Sequence, residues 1–138
     1  MTVRYLLDTN ILSEPLRPTP NQNILDKLRT YQDHLATAAL VWHELWFGAY
    51  RLPESARRKA IEDYLSGVVT PSIAVLPYDQ AAATWHAGER ARLAGIGRTP
   101  PFVDGQIAAI AKTNDLILIT INQKDFEFFD VPIEDWRE

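Results

Sequence analysis

Cysteine is absent from the 138 residues, which removes together a disulfide scaffold, a thiolate zinc site and a cysteine nucleophile. Any metal must therefore be held by oxygen or imidazole. No stretch reaches the roughly 20 apolar residues that a membrane-spanning helix needs. The opening "MTVRYLLDTN" meets a charged residue before a signal-type apolar region develops. The expectation is a cytoplasmic protein without membrane association. Positive charge is also in short supply, because 14 Lys and Arg against 18 Asp and Glu leave a net charge of −4. Phosphate binding draws its affinity from clustered Lys and Arg, so binding of nucleic acid through a general basic surface is disfavoured. An enzyme that meets phosphates through a bound cation is not. Also missing are G-x-S-x-G, GKS or GKT, and G-x-G-x-x-G, the signatures of a serine-hydrolase elbow, a P-loop and a dinucleotide turn.

What is present is 46% hydrophobic residues in a chain long enough for one well-buried core and too short for two ordinary domains; residues 1–138 read as a single domain. Apolar runs at Val3–Leu7, Leu35–Ala39, Ile73–Leu76 and Leu116–Thr120 read as strands, and the segments between them carry helical periodicity. That alternation predicts an α/β fold with a central, mostly parallel sheet flanked by helices. The helices are placed at Asn21–Tyr31, at Leu40–Arg51, at Glu54–Ser66 with Pro53 in the first turn, at Gln80–Ala94 with Asp79 as N-cap, and from near Val103 to Thr113. Gly95, Gly97, Pro100 and Pro101 force a loop between the last two. There is no internal repeat, low-complexity tract or linker.

A few of the acids stand apart. Asp8 follows the apolar run of "VRYLLDTN", at the carboxyl end of the first strand, and ligands of open α/β sheets bind outside the carboxyl ends of strands. Capping of the next helix by Asp8, Thr9 or Asn10 is the plainer alternative. Glu44 sits in "AALVWHELWFG" among Val41, Trp42, Leu45, Trp46 and Phe47, where a glutamate is seldom buried without a partner; a solvent-facing helix position is the other reading. His43 and Glu44 do not begin a zinc-protease H-E-x-x-H, because Phe47 occupies the place of the second histidine. Asp104, in "TPPFVDGQIAAIAK", falls in a first helical turn, where the helix end favours an ionised carboxylate and where a capping role is again open. The small residues at 105, 108, 109 and 111 suggest close packing of that helix on the sheet. In "LILITINQKDF", Thr120 and Asn122 come at the end of a strand, beside Asp8 if the strands are neighbours; Asn122 and Asp125 also suit an ordinary turn.

Mg²⁺ and Mn²⁺ prefer oxygen ligands, and Mg²⁺ is usually held by one or two carboxylates together with water and substrate phosphates. Asp8, Glu44 and Asp104 gathered at one end of a sheet would make such a site: mutually repelling without metal, and with it attractive to phosphate and able to activate water for in-line attack. The expected reaction is phosphodiester hydrolysis.

The fragments "LLDTNILSEP", "HE" within an apolar helix, "VDGQIAAIA" and "LITINQKDF", in this order and at these spacings, resemble the PIN-domain ribonucleases, and specifically the VapC-type toxins of bacterial toxin–antitoxin pairs. The resemblance covers essentially the whole chain. It implies a PIN-like three-layer fold and a Mg²⁺-dependent (or Mn²⁺-dependent) endoribonuclease acting as the toxin of a type II pair. It makes Asp8, Glu44 and Asp104 the acidic triad that binds metal. Thr9 and Thr120 would orient ligands or water through their hydroxyls, and Asn122 would stand where a fourth, often acidic, residue is found. An amide there can still offer an oxygen but adds no charge. The resemblance also implies a homodimer and a cognate antitoxin whose C-terminal segment lies along an apolar groove and brings an arginine to the acids.

Two other readings compete. In one, a PIN-like module without catalysis serves as the docking half of a DNA-binding complex; three mutually repelling acids speak against that. In the other, Asp8 is the nucleophile of a haloacid-dehalogenase-type phosphatase, but that chemistry wants an aspartate where Asn10 stands. Basic residues cluster in "RLPESARRK" and "RARLAGIGR", mostly as a solvated helix face; Arg98, shortly before Asp104, is the candidate RNA contact. Trp42, Trp46, Phe47 and Tyr50 exceed what one face of one helix readily buries, which points to an interface, although burial of the whole group in the core is an open alternative.

Overall fold

The computed structural model describes residues 2–138. Its five strands form one parallel sheet in the order β3-β2-β1-β4-β5. They are β1 (Tyr5–Leu7), β2 (Leu35–Ala38), β3 (Ala74–Leu76), β4 (Ile117–Ile119) and β5 (Ile133–Glu134). The helices that flank it are α1 (Thr9–Leu12), α2 (Gln22–Thr30), α3 (Ala39–Tyr50), α4 (Ala56–Tyr64), α5 (Thr70–Ser72), α6 (Gln80–Gly95), α7 (Phe102–Thr113) and α8 (Gln123–Phe126). None of them is long and apolar enough to cross a membrane.

The first strand is the central one. Its register with β2 pairs Tyr5 with Leu35 and Leu7 with Thr37, and its register with β4 pairs Tyr5 with Ile117 and Leu7 with Ile119. A strand with a neighbour on each edge and helices over both faces must be apolar throughout, and Tyr5, Leu6 and Leu7 are all buried. The core continues through Ile11, Leu12, Ile24, Val41, Leu65, Leu93, Ile107, Ile110, Leu118 and Ile119.

Local chemistry sets the helix starts. Asn21 Oδ1 accepts from the Ile24 N–H, Ser55 Oγ from the Arg58 N–H and Asp79 Oδ1 from the Ala82 N–H, each satisfying an amide that its helix leaves unpaired. The Asp79 cap is where the sequence puts it. Pro53 is not in the first helical turn as expected: Ser55 outcompetes it, and the helix begins at Ala56. That helix then continues beyond Ser66, through a π-helical stretch at Leu65–Val69 into α5. Glu14 is buried, its Oε1 accepting from the Asn21 N–H at 2.8 Å and its Oε2 from Arg17 at 3.4 Å. Its role is to fasten the turn that leads into α2.

β5 and the short helix α8 escape the sequence reading, whereas α1 is the helix that the capping alternative at Asp8 called for. The chain end is held where β5 adds to the sheet: Trp136 is buried with its ring 5.1 Å from that of Tyr5 and 5.7 Å from that of Tyr31.

Candidate metal and active site

Asp8 is the first residue after β1. Its N–H donates to the Ile119 carbonyl of β4 at 2.9 Å, so the sheet ladder itself fixes its backbone. The side chain is 6% exposed. Oδ1 accepts from the Thr9 N–H at 2.8 Å, which makes Asp8 the N-cap of α1, and Oδ2 accepts from the Thr120 hydroxyl at 2.8 Å. Thr120 is itself fully buried, its Oγ1 accepting from the Asn122 N–H at 3.0 Å and its carbonyl from Gln123 Nε2 at 2.7 Å. The capping role and the site role are therefore one arrangement, and the hydrogen bonds that hold Asp8 leave its carboxylate with one fixed orientation.

Thr9 acts on Asp8 through its backbone N–H, Thr120 through its hydroxyl. Asn122 is exposed, precedes α8, and touches the cluster through its backbone N–H rather than its amide.

Asp104 lies in the first turn of α7. Burial pushes its pKa up, with the charges of Asp125 and Asp8 adding to the shift, to about 6. Burial also raises Asp8; the Thr120 and Thr9 hydrogen bonds oppose it, and the charge of Asp125 adds to it. Asp8, Asp104 and Asp125 thus form one acidic neighbourhood. No Lys or Arg is among the groups that shift Asp8 or Asp104, and neither carries an ion pair among the described residues. Asp125, in the first turn of α8, is the residue that the sequence leaves ambiguous; its signal is its place five residues beyond Thr120 in the turn that closes over the strand end.

Glu44 stands apart. It is exposed on α3, and its charge acts on neither Asp8 nor Asp104, although α3 packs against both α1 and α7. Among the described residues no three His, Asp or Glu side chains are already arranged as a closed metal cage. The donor set nevertheless fits a hard cation. Asp8 and Asp104 supply the one or two carboxylates that Mg²⁺ or Mn²⁺ requires, and no protein cation satisfies them. In the same turn, Asn10 Oδ1 is buried and accepts no hydrogen bond, an oxygen left for a donor that the chain does not supply.

The glycine at 105 places Asp104. A Cβ built on Gly105 would lie 2.1 Å from His86 Nε2. The close packing foreseen for α7 is thus, at this residue, against α6 rather than the sheet. His86 is buried, its Nδ1 hydrogen-bonded to the Tyr78 hydroxyl at 2.9 Å and its ring 4.8 Å from that of Phe102. Burial, with the Arg90 charge, lowers its pKa and keeps the ring neutral.

The raised carboxylates give a stability prediction. Asp104 binds its proton more tightly folded than unfolded, so its contribution is most favourable below pH 4. It is lost as pH rises from about 4 to about 6, and the penalty is complete above that. Discounted for its partial exposure, the penalty is about 1–2 kcal/mol. Asp104→Asn is accordingly expected to melt a few degrees above the wild type at pH 7.5 in chelator, with the gap closing by pH 4. Melting curves across that range check it, and a pH-independent gap would remove the electrostatic account.

Comparison with known proteins bears on the family and the fold. The PIN domain pattern matches residues 5–132. The chain is 33% identical over 133 residues to "Toxin FitB" of Neisseria gonorrhoeae, covering 93% of this chain and 94% of that protein. It is 33% identical over 136 residues to the "tRNA(fMet)-specific endonuclease VapC" of Shigella flexneri, covering 97% and 98%. The crystal structure of FitAcB from N. gonorrhoeae superposes with a TM-score of 0.85 at 31% identity, covering 94% of this chain and 95% of that one. With β1 central in a parallel sheet and Asp8 at its carboxyl end, the chain belongs to the PIN domain family, in its VapC-type branch.

Proposed function

We propose that the protein is a metal-dependent endoribonuclease and the toxin of a type II toxin–antitoxin pair. The observation that carries the reading is the Asp8–Thr120 clamp, a buried carboxylate held in one orientation beside Asp104 and Asp125 without a counter-cation. Such a cluster is unfavourable in the apo protein and is reconciled by a function that needs it. Asp8 and Asp104 would hold Mg²⁺ or Mn²⁺, with Asn122 at the margin; Glu44, exposed on α3, enters the set through the family resemblance alone. When bound, the ion supplies charge neutralisation at a phosphodiester and an acidified water. The chain's own part is to keep Asp8 still through Thr9 and Thr120, to seat Asp104 at the start of α7, and to bring further negative charge with Asp125. The test is cleavage of tRNA and of single-stranded RNA with Mg²⁺ and with excess chelator. Cleavage that survives chelation would remove the metal from the reading. A non-catalytic docking module gives no account of an unpaired buried acid.

The partner reading rests on α3. Trp42, Trp46 and Tyr50 form a ladder along it, with ring centroids 6.0 and 5.2 Å apart. Phe47 is 50% exposed and Tyr50 is 59% exposed, so the four aromatics do not all vanish into the core. Exposed aromatics grouped on one helix mark an interface, here for a second copy of the chain or for the antitoxin. An antitoxin arginine at the acids would use the carboxylates that hold the cation. A C-terminal antitoxin peptide is therefore expected to bind more weakly as Mg²⁺ is raised, and Trp46→Ala to weaken either dimerisation or antitoxin binding. Calorimetry and sedimentation check these; a metal-independent peptide affinity would sink the competition.

A further inference from the structure

Two arginines around the loop that precedes α7 lie on aromatic rings instead of carboxylates. Arg98 Cζ sits 3.6 Å over the Phe128 ring, and Arg90 Cζ 4.9 Å over the Phe102 ring. Among the described residues neither arginine, nor Lys124, makes an ion pair. Both rings are well exposed, Phe102 at 50% and Phe128 at 41%, so neither is there to fill the core.

The three cations line two adjoining clefts. One, of about 320 Å³, is bounded by Arg98, Lys124, Phe128 and Asp125, the last belonging to the acidic neighbourhood. The other, of about 380 Å³, is bounded by Arg90 and Arg98, with Thr99 and Pro100 shared between the two. Arg98 therefore stands at a common wall, and positive groups succeed one another along the two clefts: Lys124 with Asp125 in one, Arg98 shared, Arg90 in the other. In a chain of net charge −4 that succession is local, a border of the site and not a general basic face.

A guanidinium held over a ring has already lost part of its freedom while its N–H groups stay available, so it grips two phosphate oxygens with less entropy to lose. Cations along a narrow groove with exposed rings beside them suit one flexible strand, whose bases can stack while its phosphates are tracked. We propose that Lys124, Arg98 and Arg90 bind successive phosphates flanking the scissile one in single-stranded RNA, and that Phe128 and Phe102 are positioning residues that hold the two arginines in place. This rests on the ribonuclease reading and extends it by naming the strand's path.

The experiment is anisotropy of a labelled 12-nucleotide single-stranded RNA bound to the full chain in chelator, over a series of NaCl concentrations. Arg90→Ala, Arg98→Ala and Lys124→Ala are each expected to lower the slope of log K against log salt by about 0.7, one phosphate's worth for a single strand. Phe128→Leu, similar in bulk but without a ring, is expected to behave like Arg98→Ala, and Phe128→Tyr like the wild type; melting curves show that each variant is folded. A duplex of the same length should bind more weakly with a slope that these changes do not alter. Unchanged slopes in folded Arg90→Ala and Arg98→Ala overturn the track. If the wild type still hydrolyses RNA in Mg²⁺, the ribonuclease reading survives that failure. Slopes that fall as expected in a protein that hydrolyses no RNA would instead keep the track and reject the activity.

Discussion

Asp8→Asn is expected to lower RNA hydrolysis by more than about a hundredfold in the presence of Mg²⁺, the least that removal of the proposed ligand charge should do, and to leave the protein folded. The fold survives because asparagine caps a helix about as well as aspartate. Its Oδ1 can still accept the Thr9 N–H, and its amide occupies the volume facing Thr120. Burial and the Asp125 charge raise the Asp8 pKa, so a neutral side chain relieves both, and the melting temperature in chelator should equal or exceed that of the wild type. The pairing of lost hydrolysis with preserved stability separates a functional carboxylate from a structural one. Hydrolysis near the wild-type rate would sink the assignment of Asp8, and lost hydrolysis with a collapsed melting transition would leave only a structural role.

Gly105→Ala is expected to destabilise the protein by about 1–3 kcal/mol and to depress activity as well. Intrinsic helix propensity points the other way, favouring alanine by about 1 kcal/mol. The clash wins because the new Cβ would meet His86 Nε2 at 2.1 Å and His86 Cδ2 at 2.6 Å. The ring has nowhere to retreat, buried as it is and tied to Tyr78 and Phe102. The strain is relieved by separating α6 from the start of α7, which carries Asp104 away from Asp8. Denaturant unfolding of Gly105→Ala, His86→Ala and the double variant tests this. Removing the ring makes room for the methyl, so the double variant should be less destabilised than the two single effects added, by at least about 1 kcal/mol. Simple additivity would show that the methyl meets something other than His86.

The strands at Tyr5–Leu7, Leu35–Ala38 and Ile117–Ile119 were legible because a strand covered on both faces reads as a near-continuous apolar run; Ala74–Leu76, at the exposed edge of the sheet, was legible from its apolar run alone, and helices between the strands leave parallel pairing as the simple solution. β5 was not legible: two residues after Pro132 carry no periodicity, and the strand exists because Trp136 anchors the chain beyond it. Asp8 and Asp104 announce themselves by position, one at a strand end and the other opening an apolar helix. Asp125 does not, since an exposed acid in a polar turn looks like any other until the fold lays α8 beside the end of β1. Glu44 is the converse, conspicuous in its apolar surroundings yet exposed on α3 and electrostatically apart from the other two. The aromatics around it set α3 against its neighbours, and the rotation that buries Val41 and Ala49 turns Glu44 outward.

Because β1 pairs with β4, the bond from Thr120 to Asp8 joins residues 112 positions apart. A nascent chain carries Asp8 out of the ribosome 112 residues ahead of the partner that orients it. At elongation rates of about 5–20 residues per second, that is a delay of roughly 6–22 s. During it the first strand has no fourth strand to pair with, and the contacts that close the sheet are among the most distant in the chain, the kind that form slowly. Truncated products that stop short of Thr120 would contain Asp8, Glu44 and Asp104 and still lack an assembled site.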